Sequence, residues 1–145
     1  MLIVLLMYNP SFRDGLVLTN KQTAGYHFLN RQQYFGKDKT MIFYFSGTGN
    51  SLHAANALAG REEEVLYIAD CMREGRFDYD PGPDEPVGLV CPVYFGDLPL
   101  IVRDFLEKLS FRSAPSYIYA VFTCGSRSFL CQESVQKILA GKDLL

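Results

Sequence analysis

The sequence predicts an α/β fold, an open sheet of parallel strands with helices packed on it. From residue 41 onward, short apolar runs alternate with turn residues and with segments of helical periodicity, which is the pattern of repeated strand–helix units. Several of these runs are apolar at every position, as in strands that helices cover on both faces. With 145 residues, 48% of them hydrophobic and 21% charged, the chain has the composition of one compact domain.

The first strand and helix of this pattern lie around residues 41–60. Residues 41–45, Met-Ile-Phe-Tyr-Phe, are all apolar and predict a fully covered strand. Behind the turn that follows, four apolar residues fall near one face of a helix: Leu52, Ala55, Leu58 and Ala59. Gly60 stands where a residue in the left-handed conformation would end that helix.

The second and third strands are predicted at residues 65–69 and 87–91. The stretch between them is rich in turn residues, and we expect a loop there with at most a short helical turn. After the third strand, Asp97 is expected to cap a helix that has Pro99 just inside its start. The inward face of this helix is predicted from the spacing of Ile101, Phe105 and Leu109.

The last strand–helix unit is predicted at residues 117–140. Residues 117–122 indicate the fourth strand, and a helix from about residue 128 to residue 140 is expected to turn its apolar residues inward. These residues are Leu130, Val135, Ile138 and Leu139. Gly141 is expected to end the helix. Four strand–helix units thus form a domain at residues 41–145, and residues 1–40 are an N-terminal leader whose structure no pattern predicts.

Charge, hydropathy and cysteine spacing exclude several classes of function. The formal net charge is -2 and no basic run occurs, so nothing predicts binding to nucleic-acid phosphates. The apolar residues 1–7 are too short to span a bilayer and lack the basic residues of a secretory signal. No Cys-x-x-Cys pair occurs among Cys71, Cys91, Cys124 and Cys131. We therefore expect a cytoplasmic protein with reduced thiols and no metal site, nucleic-acid partner or membrane partner.

The turn at residues 46–51, Ser-Gly-Thr-Gly-Asn-Ser, is the sharpest functional signal. It joins the first strand to the first helix, where the free backbone N–H groups of a helix start attract anions. The two glycines permit a backbone that approaches a ligand closely, and the Ser, Thr and Asn side chains add neutral hydrogen-bond donors. This combination predicts a site for a phosphate monoester.

Three alternatives exist for this turn. A P-loop requires a lysine after its last glycine, and no lysine occurs between Lys39 and Lys108. A dinucleotide-binding loop requires Gly or Ala at the position of Leu52, although Asp70 stands at the distance that such loops need. The third alternative is a Gly- and Ser-rich turn that only joins a strand to a helix.

Three segments carry a resemblance to a known family. They are residues 42–51 (Ile-Phe-Tyr-Phe-Ser-Gly-Thr-Gly-Asn-Ser), 91–99 (Cys-Pro-Val-Tyr-Phe-Gly-Asp-Leu-Pro) and 122–126 (Phe-Thr-Cys-Gly-Ser). In this order they resemble the three FMN-binding loops of the flavodoxin family, most closely those of the flavodoxin domain of EFR1-type flavodoxin/ferredoxin proteins. The resemblance extends from residue 41 to about residue 145 and does not reach residues 1–40.

The resemblance implies a flavodoxin-like open parallel sheet with FMN at the carboxyl ends of its strands. The family's strand order is 2-1-3-4-5, and this chain is expected to supply four strands in the order 2-1-3-4, with the last strand–helix unit missing. The residues expected to hold the phosphate are Ser46, Gly47, Thr48, Gly49, Asn50 and Ser51. The residues expected to flank the ring are Pro92, Val93, Tyr94, Phe95, Gly96 and Asp97 in one loop and Thr123, Cys124, Gly125 and Ser126 in the other. Tyr94 or Phe95 is the stacking candidate.

The function that the resemblance implies is electron transfer through FMN, to or from a ferredoxin-like iron–sulfur protein or another redox partner. The peptide Gly96–Asp97 occupies the place where a family peptide turns over to hydrogen-bond the half-reduced ring. Two further functions are alternatives: an FMN-dependent NAD(P)H oxidoreductase, and a truncated interaction domain without cofactor. The missing fifth strand is expected to leave the fourth strand open along one side, which would favour association.

Overall fold

The computed structural model describes residues 2–8, 16–20, 39–59, 64–82, 85–125 and 130–144. Its strands are β1 (Leu2–Tyr8), β2 (Leu16–Asn20), β3 (Met41–Tyr44), β4 (Glu64–Tyr67), β5 (Asp78–Tyr79), β6 (Val87–Pro92), β7 (Ser110–Phe111) and β8 (Ile118–Cys124). Its helices are α1 (Asn50–Leu58), α2 (Ile68–Glu74), α3 (Leu100–Lys108) and α4 (Cys131–Ala140). The predicted α/β class is confirmed.

Six of the strands form one sheet, in the order β2-β1-β8-β6-β3-β4. Strands β4, β3, β6 and β8 are parallel neighbours. Numbered along the chain, these four strands have the predicted order 2-1-3-4, so the open parallel sheet of flavodoxin-like topology is confirmed. β5 and β7 form a separate two-stranded parallel sheet.

The far side of β8 is paired, contrary to the prediction of an open edge. β1 runs antiparallel to β8 along its whole length, from Leu2 opposite Cys124 to Tyr8 opposite Ile118. β2 pairs in turn with the other side of β1. The edge of a strand presents backbone N–H and C=O groups that can form hydrogen bonds with another extended segment. In this structure β1 forms these hydrogen bonds with β8. β8 therefore has no open edge for the association that the sequence predicted.

Helices cover both faces of the parallel strands, which explains why most residues of these strands are apolar. On one face, α1 packs with alternate strand residues, among them Ile42 and Val90. On the other face, α2, α3 and α4 pack with the intervening strand residues, which include Phe43 and Leu89. Successive side chains of a strand point to opposite faces, so each strand contributes to both cores.

Two predictions of local structure are wrong. α2 begins at Ile68, inside the run predicted as a strand, and it extends for seven residues where a loop was expected. Asp97 does not cap α3, because that helix begins at Leu100 and has Pro99 at its N-cap position. The helix after the third strand therefore starts later than predicted, and Asp97 belongs to the loop before it.

Leu130, which was predicted to face inward, is exposed just before α4, and Leu52 of the predicted apolar face of α1 is exposed as well. Both lie at the start of a helix, at the end of the sheet where the parallel strands finish. Gly141 ends α4 as predicted. The predicted helix end at Gly60 lies outside the described residues.

Candidate functional site

The predicted site loops meet at one end of the sheet. β3, β6 and β8 lie side by side and parallel, so the segments that follow them emerge at the same edge. Backbone hydrogen bonds continue across these strand ends. The N–H of Phe45 donates to the carbonyl of Val90 at 2.9 Å, and the N–H of Val93 donates to the carbonyl of Thr123 at 3.0 Å. The three loops therefore leave the sheet in register with one another.

The first loop ends in a tight turn at the start of α1. Gly49 is the N-cap residue and has a φ of 90°, a conformation that favours glycine. Its N–H donates to the Ser46 hydroxyl at 3.0 Å, and the Asn50 amide donates to the Thr48 hydroxyl at 3.5 Å. These contacts fold the loop over the helix start and leave residues 47–50 exposed.

The start of α1 has the electrostatic character of an anion site. Among the described residues, no side chain caps this helix, and no acidic residue lies in its first turn. The first N–H groups of an α-helix have no partner within the helix and carry the positive end of its dipole. Here they open onto an exposed loop with two hydroxyls and an amide, Ser46, Thr48 and Asn50. This combination suits an oxyanion that needs no basic side chain.

Ser51 links the first loop to the third one. Its hydroxyl shares a hydrogen bond of 2.8 Å with the hydroxyl of Thr123, and both residues are buried. The Ser51 side chain is therefore engaged with β8, and its backbone N–H remains in the first turn of α1. A buried hydroxyl pair of this kind fixes the spacing between the two loops.

Tyr94 links the second loop to the first one. Its hydroxyl oxygen lies 2.3 Å from the place where a Cβ of Gly47 would stand. Its ring meets the ring of Phe45 edge-to-face, with centroids 6.3 Å apart and an interplanar angle of 85°. The absence of a side chain at Gly47 therefore makes room for Tyr94, and Tyr94 holds the two loops against each other.

Residues 94–97 form a tight and strained turn. The N–H of Tyr94 donates to the carbonyl of Asp97 at 2.9 Å, and the N–H of Asp97 donates back at 3.0 Å. The two residues between them are left-handed, Phe95 with a φ of 51° and Gly96 with a φ of 82°. A phenylalanine in this region of backbone space is strained, and such strain clusters at functional sites. The side chain of Phe95 is fully exposed.

Asp97 ties this turn to two helices. Its carboxylate accepts hydrogen bonds from the N–H of Leu98 and the hydroxyl of Ser134, each at 2.7 Å, and from Arg103 at 2.5 Å. Burial has the largest single influence on the pKa of Asp97 and raises it. The bonds from Ser134 and Leu98 and the charge of Arg103 together outweigh burial, so the pKa is lowered below its ordinary value.

The peptide between Gly96 and Asp97 is held on both sides. The carbonyl of Gly96 accepts the N–H of Leu130 at 2.9 Å, and the N–H of Asp97 donates to the carbonyl of Tyr94 at 3.0 Å. Turning this peptide over, as the family resemblance suggested, requires that both hydrogen bonds break. The resting structure therefore holds this peptide in a single orientation.

The third loop contributes Thr123, Cys124 and Gly125, and Ser126 lies outside the described residues. Thr123 is buried, Cys124 is half-buried and Gly125 is exposed. Nearby, burial raises the pKa of the Cys131 thiol to about 12, with smaller influences from Asp97 and Cys124. Cys131 is therefore a protonated thiol at neutral pH and not a nucleophile.

Among residues 39–59, 64–82, 85–125 and 130–144, five large apolar side chains are exposed, and all of them lie in a loop or near a helix start at this edge of the sheet. We call them the apolar collar: Leu52, Tyr94, Phe95, Leu100 and Leu130. Two belong to the second loop, and the other three stand at or near helix starts that face the same edge. Exposed apolar side chains that cluster in this way indicate a binding surface.

The structure brings most of the predicted site residues together and adds others. Arg103 and Ser134 were not predicted, because their role depends on contacts between elements that no local spacing encodes. The short turn around Phe95 and Gly96 does have a local signal, since a glycine between two extended segments favours a left-handed turn. Ser51 and Asp97 differ from expectation, because their side chains bind other parts of the protein.

Comparisons with family models, with curated proteins and with solved structures find no match to this chain. Within the described ranges, no three His, Cys, Asp or Glu side chains come together as a metal site. In the same part of the chain, none of the helices has the length and apolar character needed to cross a membrane. The fold and the geometry of the loops are therefore the basis for a functional assignment.

Proposed function

We propose that the protein is an FMN-binding electron-transfer domain. The observation that carries this proposal is the meeting of three loops at one sheet edge, which has both a helix start without a side-chain cap and a strained, exposed phenylalanine. The first feature suits a phosphate and the second suits a flat aromatic ring. A flavin mononucleotide has both groups in one molecule.

The phosphate is assigned to the start of α1. Ser46, Thr48 and Asn50 supply polar side chains there, and the first turn of α1 supplies backbone N–H groups. Hydrogen bonds to a charged group are worth more than those between neutral groups, so a few such donors suffice without a lysine or arginine. The buried pair of Ser51 and Thr123 keeps this loop at a fixed distance from the third loop.

The ring is assigned to the space between the second and third loops. Phe95 is the stacking residue in this proposal, because its side chain is fully exposed while the Tyr94 ring packs against Phe45 and its hydroxyl against Gly47. Tyr94 then acts by holding the loop in place. Bound FMN would supply reversible storage of electrons, and this chain would bind it, orient it and limit its contact with water.

The partner is proposed to be a redox protein, such as a ferredoxin-like iron–sulfur protein. The apolar collar surrounds the edge at which the ring would lie, so a partner that covers the collar also comes close to the ring. Short-lived redox complexes use small interfaces, and the five exposed side chains of the collar supply apolar contacts for one.

A binding experiment tests the proposal. The purified protein is incubated with an excess of FMN, free flavin is removed by gel filtration, and the visible spectrum of the protein peak is recorded. We expect flavin absorption in a ratio of one FMN to one chain. A colourless protein peak would contradict the proposal and favour an interaction domain without cofactor.

The same sample separates a carrier from an oxidoreductase. The flavin-loaded protein is mixed with NADPH under anaerobic conditions while the flavin absorption is followed. An electron carrier keeps its colour until a redox partner or dithionite is added. Rapid bleaching by NADPH alone would instead assign an FMN-dependent NAD(P)H oxidoreductase.

A further inference from the structure

The strained turn at residues 94–97 requires contacts that stabilise it. A bulky residue at a positive φ is strained, so an isolated segment would leave this conformation. Phe95 nevertheless has a φ of 51°, and its exposed side chain adds no packing that could offset the strain. The stabilising contacts must therefore come from the neighbours of Phe95 in the turn.

Asp97 supplies the largest set of such contacts. Its carboxylate joins the turn to Arg103 on α3 and to Ser134 on α4, and it also accepts the N–H of Leu98. The side chain of Asp97 is only 25% exposed, so these hydrogen bonds are largely shielded from water. The carbonyl of Gly96 adds one more link, to the N–H of Leu130 before α4.

We infer that Asp97 is a positioning residue, whose carboxylate holds the turn in the strained form that presents Phe95 at the rim of the site. The role of Phe95 as a ring contact rests on the proposed function, whereas the hold of Asp97 on the turn does not. In this arrangement Arg103 and Ser134 affect ligand binding without touching the ligand, because both act through Asp97. Binding is thereby coupled to the packing of α3 and α4 around the loop.

The first test uses the protein without ligand. Amide hydrogen exchange is measured for the Asp97→Ala variant and for a control, Asp104→Ala, which removes an exposed carboxylate from α3. We expect the amides of residue 97 and Leu130 to exchange about tenfold faster in Asp97→Ala, as the two hydrogen bonds of the turn open. The amides of β3 and all amides of Asp104→Ala should exchange as in the unmodified protein. Unchanged exchange at residue 97 and Leu130 would overturn the inference.

The second test uses FMN and a double-variant cycle. Asp97→Ala is expected to weaken FMN binding about tenfold, and Asp104→Ala to leave it within twofold. In a Phe95→Gly background the turn is unstrained and carries no ring contact, so Asp97→Ala should change the affinity less than threefold there. Equal losses in both backgrounds would mean that Asp97 acts only on general stability, and would overturn the positioning role.

The two tests separate the inference from the proposed function. If the unmodified protein does not bind FMN, the proposed function fails and the exchange experiment alone decides the role of Asp97. If Asp97→Ala does not fold, Ser134→Ala replaces it, since this variant removes one of the hydrogen bonds and leaves the carboxylate in place. Faster exchange confined to the turn then supports the role, and unchanged exchange contradicts it.

Discussion

At the scale of single residues, Gly47 lies beneath the hydroxyl of Tyr94. The pattern of a phosphate-binding turn explains this glycine by the room that a ligand needs next to the backbone. The structure shows that the Tyr94 side chain, from another loop, also needs this room. No local pattern encodes this contact, because Gly47 and Tyr94 lie in different strand–helix units and meet only when β3 and β6 pair side by side.

Gly47→Ala is expected to destabilise the protein by about 1–3 kcal/mol, because the new methyl group collides with the Tyr94 hydroxyl. Thermal unfolding of the purified variant measures this effect. Tyr94→Phe is the matched rescue. The next ring atom lies 3.7 Å from the Cβ position, which is an ordinary contact, so the double variant should regain most of the stability. A double variant as unstable as Gly47→Ala would show that the strain has another source.

The hydroxyl pair of Ser51 and Thr123 gives a second prediction at this scale. Ser51→Ala leaves the buried hydroxyl of Thr123 without this partner, which should cost about 1–3 kcal/mol in unfolding free energy. Adding Thr123→Val removes the remaining hydroxyl with little change in shape, so the double variant should be more stable than Ser51→Ala alone. Denaturant unfolding of the three variants checks this order. Additive losses would indicate that the pair is not coupled.

At the scale of elements, the turn at residues 94–97 and the two helices beside it form one unit through Asp97. The sequence identified Asp97 as a helix cap, since an Asp shortly before a proline at a helix start favours that role. The structure instead starts α3 at Leu100 and directs the carboxylate to Arg103 and Ser134. The residue type was therefore informative, while its partner depended on tertiary packing.

Acid should weaken this unit. The pKa of Asp97 is lowered in the folded protein, so the charged carboxylate is favoured by folding. Its contribution to stability is present above the unfolded pKa of about 3.9 and is lost as the pH falls through the lower folded value. The stability difference between the unmodified protein and Asp97→Asn should therefore shrink below about pH 4. Denaturant unfolding of both proteins from neutral to acid pH measures it, and a difference independent of pH would contradict this account.

The boundary between β4 and α2 shows a limit of sequence patterns at the element scale. Residues 65–69 are apolar and short, and periodicity alone does not distinguish a buried strand from the start of a buried helix in such a run. The strand ends at Tyr67, and α2 begins at Ile68 with an ion pair between Asp70 and Arg73 at 2.9 Å. Charged pairs three residues apart are typical of helices, so this pair is the signal that favours α2.

At the scale of the whole molecule, the order of the four parallel strands was predictable and the partner of β8 was not. The resemblance of the three loop motifs to the flavodoxin family implies the parallel order 2-1-3-4, and the structure has that order. The antiparallel strand β1 is far from β8 in the sequence, and an apolar run of residues does not indicate which strand it pairs with. The place next to β8, which the family resemblance left empty, is taken by β1.

Breaking the pairing of β1 should expose the edge of β8. β1 lies between β2 and β8, and the backbone N–H groups of consecutive residues point to opposite neighbours. Replacing both Leu5 and Leu6 by proline therefore removes one N–H group that points to β8. We expect a lower unfolding midpoint and concentration-dependent dimers by light scattering, because an open strand edge pairs with other chains. Leu5→Ala with Leu6→Ala keeps both N–H groups and is expected to stay monomeric. A proline variant with unchanged midpoint and mass would show that β1 does not protect this edge.

The most direct test of the central claim compares FMN with riboflavin, which has the same ring and no phosphate, in calorimetric titrations of the purified protein. The proposed site predicts one FMN per chain and an affinity for riboflavin weaker by about 100-fold, because the hydrogen bonds of the α1 start to a charged phosphate are lost. Equal affinity for both flavins would remove the phosphate role of residues 46–51. The absence of binding by either flavin would contradict the assignment of the three loops as a flavin site.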